Sequence, residues 1–467
     1  MPENKALNSS VSFLSLPPEI WRLIGQEVQG PQTLEALTRV CRAFRDIFNP
    51  LLNKRRVIEL NRCRVADLDQ KALPVGVRFT KDFEILLLDF ARQQPPYMVE
   101  SNESYALFIT RMLKAMPHIQ SFRWLDATYE NGYKPCLMLR HPELLDTLKK
   151  CKTLQRLSIQ FASKCLDWDD ESEDEEARSA FVSLKGLSNL TSLELYEFYG
   201  DPTDLRKELA SVLKDLPILK TLGLGMQYPC DPSGVSEVLV LSDETLFLEG
   251  LCLEYHSQKG SPLALETLRL GHGMFFYKSD PTSTDNPLAN LVKVEGLKTF
   301  HVWNGWVRFF EDDPRDAMQW RIDFTLLKGC ESLRQLSVTR LSSHVRKWLN
   351  GPGQSVEELK VTDHYSMYDY TLNNFNKLKL PNLSMLFTRE TTVRLREDWE
   401  NEFTDEDSSA TEIEDSDLDS ETPRARPCKS TITVLDRLRD GGSKLTRLGT
   451  CIDFEAHWVS QQPRLFD

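Results

Sequence analysis

Leu265-Glu-Thr-Leu268-Arg-Leu270 is the stretch on which the reading of this chain turns, because its spacing recurs along most of the sequence. Downstream stand Leu297-Lys-Thr-Phe300-His-Val302, Leu333-Arg-Gln-Leu336-Ser-Val338, Val356-Glu-Glu-Leu359-Lys-Val361 and Leu383-Ser-Met-Leu386-Phe-Thr388. Upstream stand Leu219-Lys-Thr-Leu222-Gly-Leu224, Leu190-Thr-Ser-Leu193-Glu-Leu195 and Leu154-Gln-Arg-Leu157-Ser-Ile159, with Ile119-Gln-Ser-Phe122-Arg-Trp124 and Leu445-Thr-Arg-Leu448-Gly-Thr450 as copies at the edges. Between residues 154 and 383 the steps run from 23 to 46 residues and average about 33. In an extended strand successive side chains point to opposite faces, so the last two apolar positions of each copy share one face. One such strand cannot bury that face alone, whereas stacked neighbours can.

Helix-period lead-ins separate the copies. Residues 205–216, for example, carry Leu209, Val212, Leu213 and Leu216 at steps of three and four. Val57-Ile-Glu-Leu60 and Ile85-Leu-Leu-Leu88 read as early strands of the same array, with Gln93-Gln-Pro-Pro96 as a loop. The expectation is therefore an α/β chain of strands alternating with helices. The residues between and just after the apolar positions face the other side of the sheet. Arg123, Arg156, Tyr196, Arg269, His301 and Trp303 are the candidate substrate-binding residues on that surface, together with Ser158, Glu194 and Lys360. Their centre, from Tyr196 to Trp303, holds aromatic and Arg side chains of the kind enriched in binding hot spots.

Composition sets the classes that remain. The 467 residues are 40% hydrophobic, enough to bury a sizeable core, and 57 Lys+Arg against 70 Asp+Glu give a formal charge of −13. That charge is uneven: residues 167–176 hold eight acids and residues 397–421 hold thirteen, neither with a base. Outside those runs 57 basic residues face 49 acidic ones, so the remainder is mildly basic. Residues 404–421 hold no aromatic side chain and only Ala410, Ile413 and Leu418 as apolar ones, so 397–430 is expected to be an acidic disordered loop, with 431–467 as a C-terminal repeat or cap. Met1–Ser15 has no charged segment followed by an apolar one, so a secretory signal is not expected. The longest aliphatic run, Ile85–Leu88, is too short to span a bilayer. Ten scattered Cys with no Cys-x-x-Cys pair suit reduced thiols and an intracellular setting, cytoplasmic or nuclear.

The first fifty residues differ in kind. Pro17-Pro18 suits the start of a helix, and Ile20, Leu23, Ile24 and Val28 follow at helical spacing. Gly30-Pro31 ends that helix, Thr33 can cap the next, and Leu34, Leu37, Cys41, Phe44 and Phe48 recur at steps of three and four before Asn49-Pro50. Two or three short helices make a core too small to be comfortable alone, so the unit is expected to lean on the next domain or on a partner.

Leu16-Pro17-Pro18-Glu19-Ile20, Ile24 and Val40-Cys41-Arg42-Ala43-Phe44-Arg45 resemble the F-box, over residues 12–55. Phe44 stands where that family usually has Trp. The resemblance implies a small all-α module that binds the Skp-type adaptor of SCF (cullin–RING) ubiquitin ligases, and through it a cullin scaffold. It assigns Leu16, Pro17, Ile20, Ile24, Leu37, Val40 and Phe44 to contact with the adaptor or to holding the helices that make it. Residues 56–396 resemble a divergent leucine-rich repeat solenoid, lacking the Asn usual after the strand: Ala162, Phe198, Gln227, Gly273 and Gly305 stand there. Together these imply a substrate-recruiting ligase subunit with a protein substrate the sequence does not name; the alternative is a repeat scaffold without a ligase role.

Chemistry is not expected. Gly223-Leu-Gly225 and Gly271-His-Gly273 lack the spacing and the Lys-Ser/Thr of a phosphate loop, and no Gly-x-Ser-x-Gly elbow occurs. The eight His are dispersed, and His141 with Glu143 and Asp363 with His364 lack further partners at metal-ligand spacing. No catalytic residues, metal or cofactor are assigned. Nucleic acid is not expected either, since the basic run Lys54-Arg55-Arg56 reads as solvated charge at a helix end.

Overall fold

A computed structural model describes residues 16–28, 30–60, 73–88, 102–127, 139–161, 183–226, 247–271, 274, 285–302, 323–338, 341, 343–361, 378–388 and 447–450. The acidic stretch 397–430 and all of 431–467 except 447–450 lie outside these residues. The chain divides into two compact units, one of Met1–Thr128, Gly132–Ser158 and Val459–Asp467, the other of Tyr129–Asn131 and Ile159–Trp458.

The first unit begins with three helices, α1 (Pro18–Glu27), α2 (Pro31–Val40) and α3 (Arg42–Leu52). Proline costs nothing in the first turn, where its missing N–H has no partner anyway, and Pro18 and Pro31 each open a helix. Thr33 is therefore inside α2 rather than at its cap. Gly30 caps α2 with φ +95°, a conformation glycine adopts without strain. The apolar run from Leu34 to Phe48 is split at Cys41, which is extended at φ −158°. The Phe44 N–H donates to Cys41 Sγ at 3.5 Å, starting α3. Pro50 lies in the last turn of α3, where it deletes one hydrogen bond near the helix end.

Trp21, Phe44, Ile47 and Phe48 fill the core of these helices, with Leu16, Leu34, Leu37, Cys41 and Leu51 half-buried around them. The Trp21–Phe44 and Phe44–Phe48 ring centroids lie 4.8 and 5.3 Å apart, tilted and edge-on, the geometry in which ring quadrupoles attract. Gly25 lets α1 approach α3 closely: a Cβ there would stand 2.8 Å from Phe48 and 2.7 Å from Leu51.

The chain then enters β1 (Arg55–Glu59), which pairs in parallel with β2 (Asp82–Leu88), and β2 pairs in parallel with β3 (Ser121–Ala127). Helix α4 (Asn102–Lys114) connects β2 to β3, and α5 (Pro142–Lys150) leads to β4 (Arg156–Gln160), at which the two units divide. The second unit continues with β5 (Ser192–Phe198), α6 (Pro202–Lys214), β6 (Thr221–Met226), α7 (Phe247–Ser257) and β7 (Thr267–Leu270). It goes on through the single turn α8 (Leu288–Leu291), β8 (Thr299–Val302), β9 (Gln335–Val338), α9 (Ser343–Leu349), β10 (Glu358–Val361), β11 (Met385–Thr388) and β12 (Arg447–Thr450). From β5 to β12 each strand pairs in parallel with the next in sequence. The chain is thus a mixed α/β protein of parallel strands taken in sequence order, joined by helical connections, an arrangement compatible with a repeat solenoid.

The register explains the repeat. Leu222, Leu268, Phe300, Leu336, Leu359 and Leu386 align across β6 to β11, and all are buried. The first apolar position of each copy, from Leu190 and Leu219 to Leu383, is buried as well. Helices cover this side through Leu205, Leu209 and Leu213 of α6 and Phe247, Leu251 and Tyr255 of α7. Toward the C-terminus the helical connections shorten to single turns and the seven-residue α9, and aromatic pairs such as Phe300–Phe324 and Phe324–Trp348 pack there.

Leu222→Ala, which empties a fully buried position of the aligned row, is expected to cost about 2–5 kcal/mol. Val75→Ala, at a position 88% exposed, is expected to cost less than about 0.5 kcal/mol. Urea unfolding of the full chain, followed by circular dichroism, checks both.

Candidate functional site

Two surfaces stand out, one in each unit. In the first unit the helical module inverts the usual distribution on α1. Trp21 and Gly25, four residues apart, face the core, while Ile20, Leu23 and Ile24 lie outward at 41%, 58% and 40% exposure. Val40, the last residue of α2, is 64% exposed. Four bulky aliphatics are left in water by a module that already holds two phenylalanines and a tryptophan inside. Because each is already partly covered, completing its burial against a partner is worth about 0.6–2 kcal/mol. Of the sequence-assigned adaptor residues, Ile20, Ile24 and Val40 are exposed, Pro17 lies beside them at the exposed start of α1, Leu16 and Leu37 are half-buried against the aromatic core, and Phe44 is inside it.

The sheet surface opposite the apolar rows is polar. In the first unit the register sets Glu84 beside Val57 and Arg123. Glu84 is buried and receives Arg55 at 2.7 Å and Arg123 at 3.5 Å; Arg156 pairs with Asp82 at 2.6 Å. The run Lys54-Arg55-Arg56 is thus not simply solvated. Arg56 is half-buried, its guanidinium donating to Asn53 Oδ1 and the Val75 carbonyl, and burial lowers its pKa.

In the second unit one row crosses β5 to β10: Glu194, Gly223, Arg269, His301, Ser337 and Lys360. Arg269 Nη1 donates to Glu194 Oε1 at 2.9 Å, reaching over Gly223, and the Tyr196 hydroxyl donates to Glu194 Oε2 at 3.2 Å. Gly223 is required there, since a Cβ would stand 2.3 Å from the Tyr196 oxygen. Burial, then the Glu194 carboxylate, raises the Tyr196 hydroxyl well above its ordinary value. Burial works to lower Arg269, but Glu194 and Tyr196 outweigh it and its pKa rises. Farther along, Lys360 Nζ lies 3.1 Å from Glu358, which also accepts from Gln335 Nε2 at 3.0 Å.

His301 differs from its neighbours. Burial first, then Arg269 and Lys360, lowers its pKa to about 3, so it is a neutral imidazole at ordinary pH.

The structure therefore brings Tyr196, Arg269 and His301 together on one surface, and places Arg123 and Arg156 on the corresponding face of the first unit; Trp303 lies outside the described residues. Sequence reading counted Glu194 and Lys360 as surface positions, but not the pairing of Glu194 with Arg269 across 75 residues. It also gave no sign of the irregularity at Glu197, where the register of β5 shifts, φ is +57°, and burial raises the carboxyl to about 8. Among the described residues no three His, Cys, Asp or Glu side chains gather as metal ligands. The described cysteines Cys41, Cys151, Cys252 and Cys330 are free thiols. No described helix is long and apolar enough to cross a membrane.

Comparison with known proteins gives no family. No protein-family profile matches the chain, and no curated protein is similar in sequence. The crystal structure of a Bacteroides fragilis protein, a structural genomics target, is similar over 74% of this chain and 71% of its own, at 10% identity and a TM-score of 0.30. That level of overlap assigns no function.

The histidine makes a prediction with a definite sign. His301 takes up a proton near its ordinary value of 6.5 when unfolded, but only near 3 when folded. Between those values the unfolded state binds more protons, so the contribution to stability is complete above about pH 6.5 and is lost as pH falls toward 3. His301→Gln should therefore unfold less readily than the parent in acid, by on the order of 2 kcal/mol near pH 4.5, with the difference gone by pH 7. Denaturant midpoints across that range check it.

Proposed function

We propose that this chain is the substrate-recruiting subunit of an SCF-type ubiquitin ligase, its helical module binding a Skp-type adaptor and its polar sheet surface receiving a protein substrate. The observation that carries the reading is the apolar stripe of Ile20, Leu23, Ile24 and Val40, left in water by a module whose own core is already filled. A stripe at helical spacing on a short exposed helix suits a partner that offers an apolar groove. The sequence Leu16-Pro17-Pro18-Glu19-Ile20 and the Val40–Arg45 segment, which resemble the F-box, say what kind of partner that is.

Within this reading the residues divide by role. Pro17, Ile20, Ile24 and Val40, with Leu23 added, meet the adaptor; Leu16, Leu37 and Phe44 hold the helices in place. Phe44 where the family usually has Trp is compatible with this division, because Trp21 and Phe48 share the same core. The mechanism is positioning: one surface holds the adaptor and another the substrate, so the substrate is presented to the ligase at high effective concentration. Ubiquitin transfer belongs to other subunits, and no residue of this chain is given a catalytic role.

Replacing both Ile20 and Ile24 with Asp would set two carboxylates against an apolar interface, at a cost of several kcal/mol each. Since neither side chain belongs to the aromatic core, the variant should fold as the parent does by circular dichroism. Co-precipitation of a Skp-type adaptor should be abolished. Undiminished adaptor capture by the folded variant would overturn the reading, and a parent chain that captures none would leave the repeat scaffold without a ligase role as the better description.

A further inference from the structure

We propose that β1 is a dimerisation edge, pairing antiparallel with β1 of a second copy of this chain about a two-fold axis at Val57. The inference goes beyond the ligase reading and does not rest on it.

The edge comes first. Among the described residues β1 has a strand neighbour on one side only, β2. The Lys54 carbonyl accepts from the Asp82 N–H at 3.0 Å, so it points toward β2. Backbone groups alternate in direction along a strand, which turns those of Arg56 and Ile58 toward β2 as well. The N–H and C=O groups of Arg55, Val57 and Glu59 therefore point away from the sheet. A row of that kind is a template for another strand. Val57, at its centre, is 39% exposed.

The strand's own sequence says which strand fits. β1 reads Arg55-Arg56-Val57-Ile58-Glu59. An antiparallel copy centred on Val57 sets Arg55 opposite Glu59 of the second copy, Glu59 opposite its Arg55, and Val57 opposite its Val57. These are the positions whose backbone groups point outward, so each facing pair exchanges both of its N–H···O=C bonds. Their side chains also share one face of the strand, where opposite charges across a pair attract and like charges repel. Edges guarded against pairing carry charges that repel a copy of themselves. Here the signs are opposite and symmetric about an apolar centre, so the strand is complementary to itself.

Arg55 retains capacity for this contact. It reaches Glu84 at 2.7 Å, but Glu84 also takes Arg123 at 3.5 Å, so two cations share one carboxylate. The Arg55 side chain is 37% exposed, and a guanidinium offers five N–H donors. Because the two-fold axis uses the same edge on both copies, assembly stops at the dimer. A pair of five-residue strands is a small interface, and a dissociation constant of roughly 10–100 μM is expected.

Sedimentation equilibrium of the full chain over a concentration series tests this. The parent should pass from monomer to dimer. Arg55→Glu and Glu59→Lys should each weaken dimerisation by about tenfold or more, since either change sets like charges opposite one another at two places. Mixed in equal amounts, the two variants should dimerise again, because every facing pair then joins a cation to a carboxylate. Thermal melts establish that each variant is folded. If Arg55→Glu is not, Val57→Pro decides: it removes the central outward N–H, spares the bonds to β2, and should leave a monomer. The Ile20→Asp, Ile24→Asp double variant should dimerise as the parent does, and its adaptor capture reports on the ligase reading separately. A parent that stays monomeric throughout would overturn the proposal and leave the edge to a strand of a different protein. Undiminished dimers of the folded single variants, a mixture that stays monomeric, or a dimer lost in the Ile20→Asp, Ile24→Asp variant would overturn it as well.

Discussion

One backbone oxygen at the start of each strand fixes the register on which everything else depends. The Lys220 carbonyl accepts from both Glu266 N–H (2.8 Å) and Thr267 N–H (3.0 Å); the Glu266 carbonyl does the same for Lys298 and Thr299, and the Lys298 carbonyl for Arg334 and Gln335. Lys54 receives Lys81 and Asp82 in the same way at the beginning of the first unit. Where this double acceptance repeats, the apolar positions of successive strands align. A slip of one residue would turn every buried leucine to the polar side, which is why the register is so strongly specified. Side chains at the accepting positions align too, and Lys220, Glu266 and Lys298 form a charge-alternating row with contacts of 3.0 and 2.9 Å.

The same alignment builds the polar surface. A row that repeats every strand brings residues far apart in sequence to adjacent places, so Glu194 meets Arg269 and Glu84 meets both Arg55 and Arg123. These half-buried ion pairs add little net stability, because desolvation offsets most of the attraction. Their effect is to hold charged groups in fixed positions on that surface. The helical module works by the opposite arrangement: its core is complete, and what it leaves outside is apolar.

Much of this was legible in the sequence, and the failures have physical causes. From Ile119 onward every copy of the spaced apolar signature is a strand, because the signature describes burial, and burial forms the strand. The signature weakens at β2, where Thr80 holds the first apolar position, and disappears at β1, where Arg56 aligns with Phe83. Both strands were still marked in the sequence by the apolar runs Val57–Leu60 and Ile85–Leu88, although each begins earlier, at Arg55 and Asp82. In the helical module, proline at the first turn outcompeted Thr33 as the helix start, the extended Cys41 divided a continuous periodicity, and Pro50 did not stop α3 because it came within its last turn. The surface positions followed from alternation alone; the pairing of Glu194 with Arg269 did not, since it depends on Gly223 leaving space between two strands.

In this account two surfaces, each in its own unit, serve two partners: an apolar stripe on α1 and α2 and a polar row on β5 to β10. Amide hydrogen exchange on the full chain, alone and saturated with a Skp-type adaptor, tests that division most directly, because it reports on every segment at once. The account predicts slowed exchange in α1 and α2 on adding the adaptor, with rates in β6 to β10 unchanged. Exchange in α1 and α2 that does not respond, or protection that appears on the sheet instead, would contradict it.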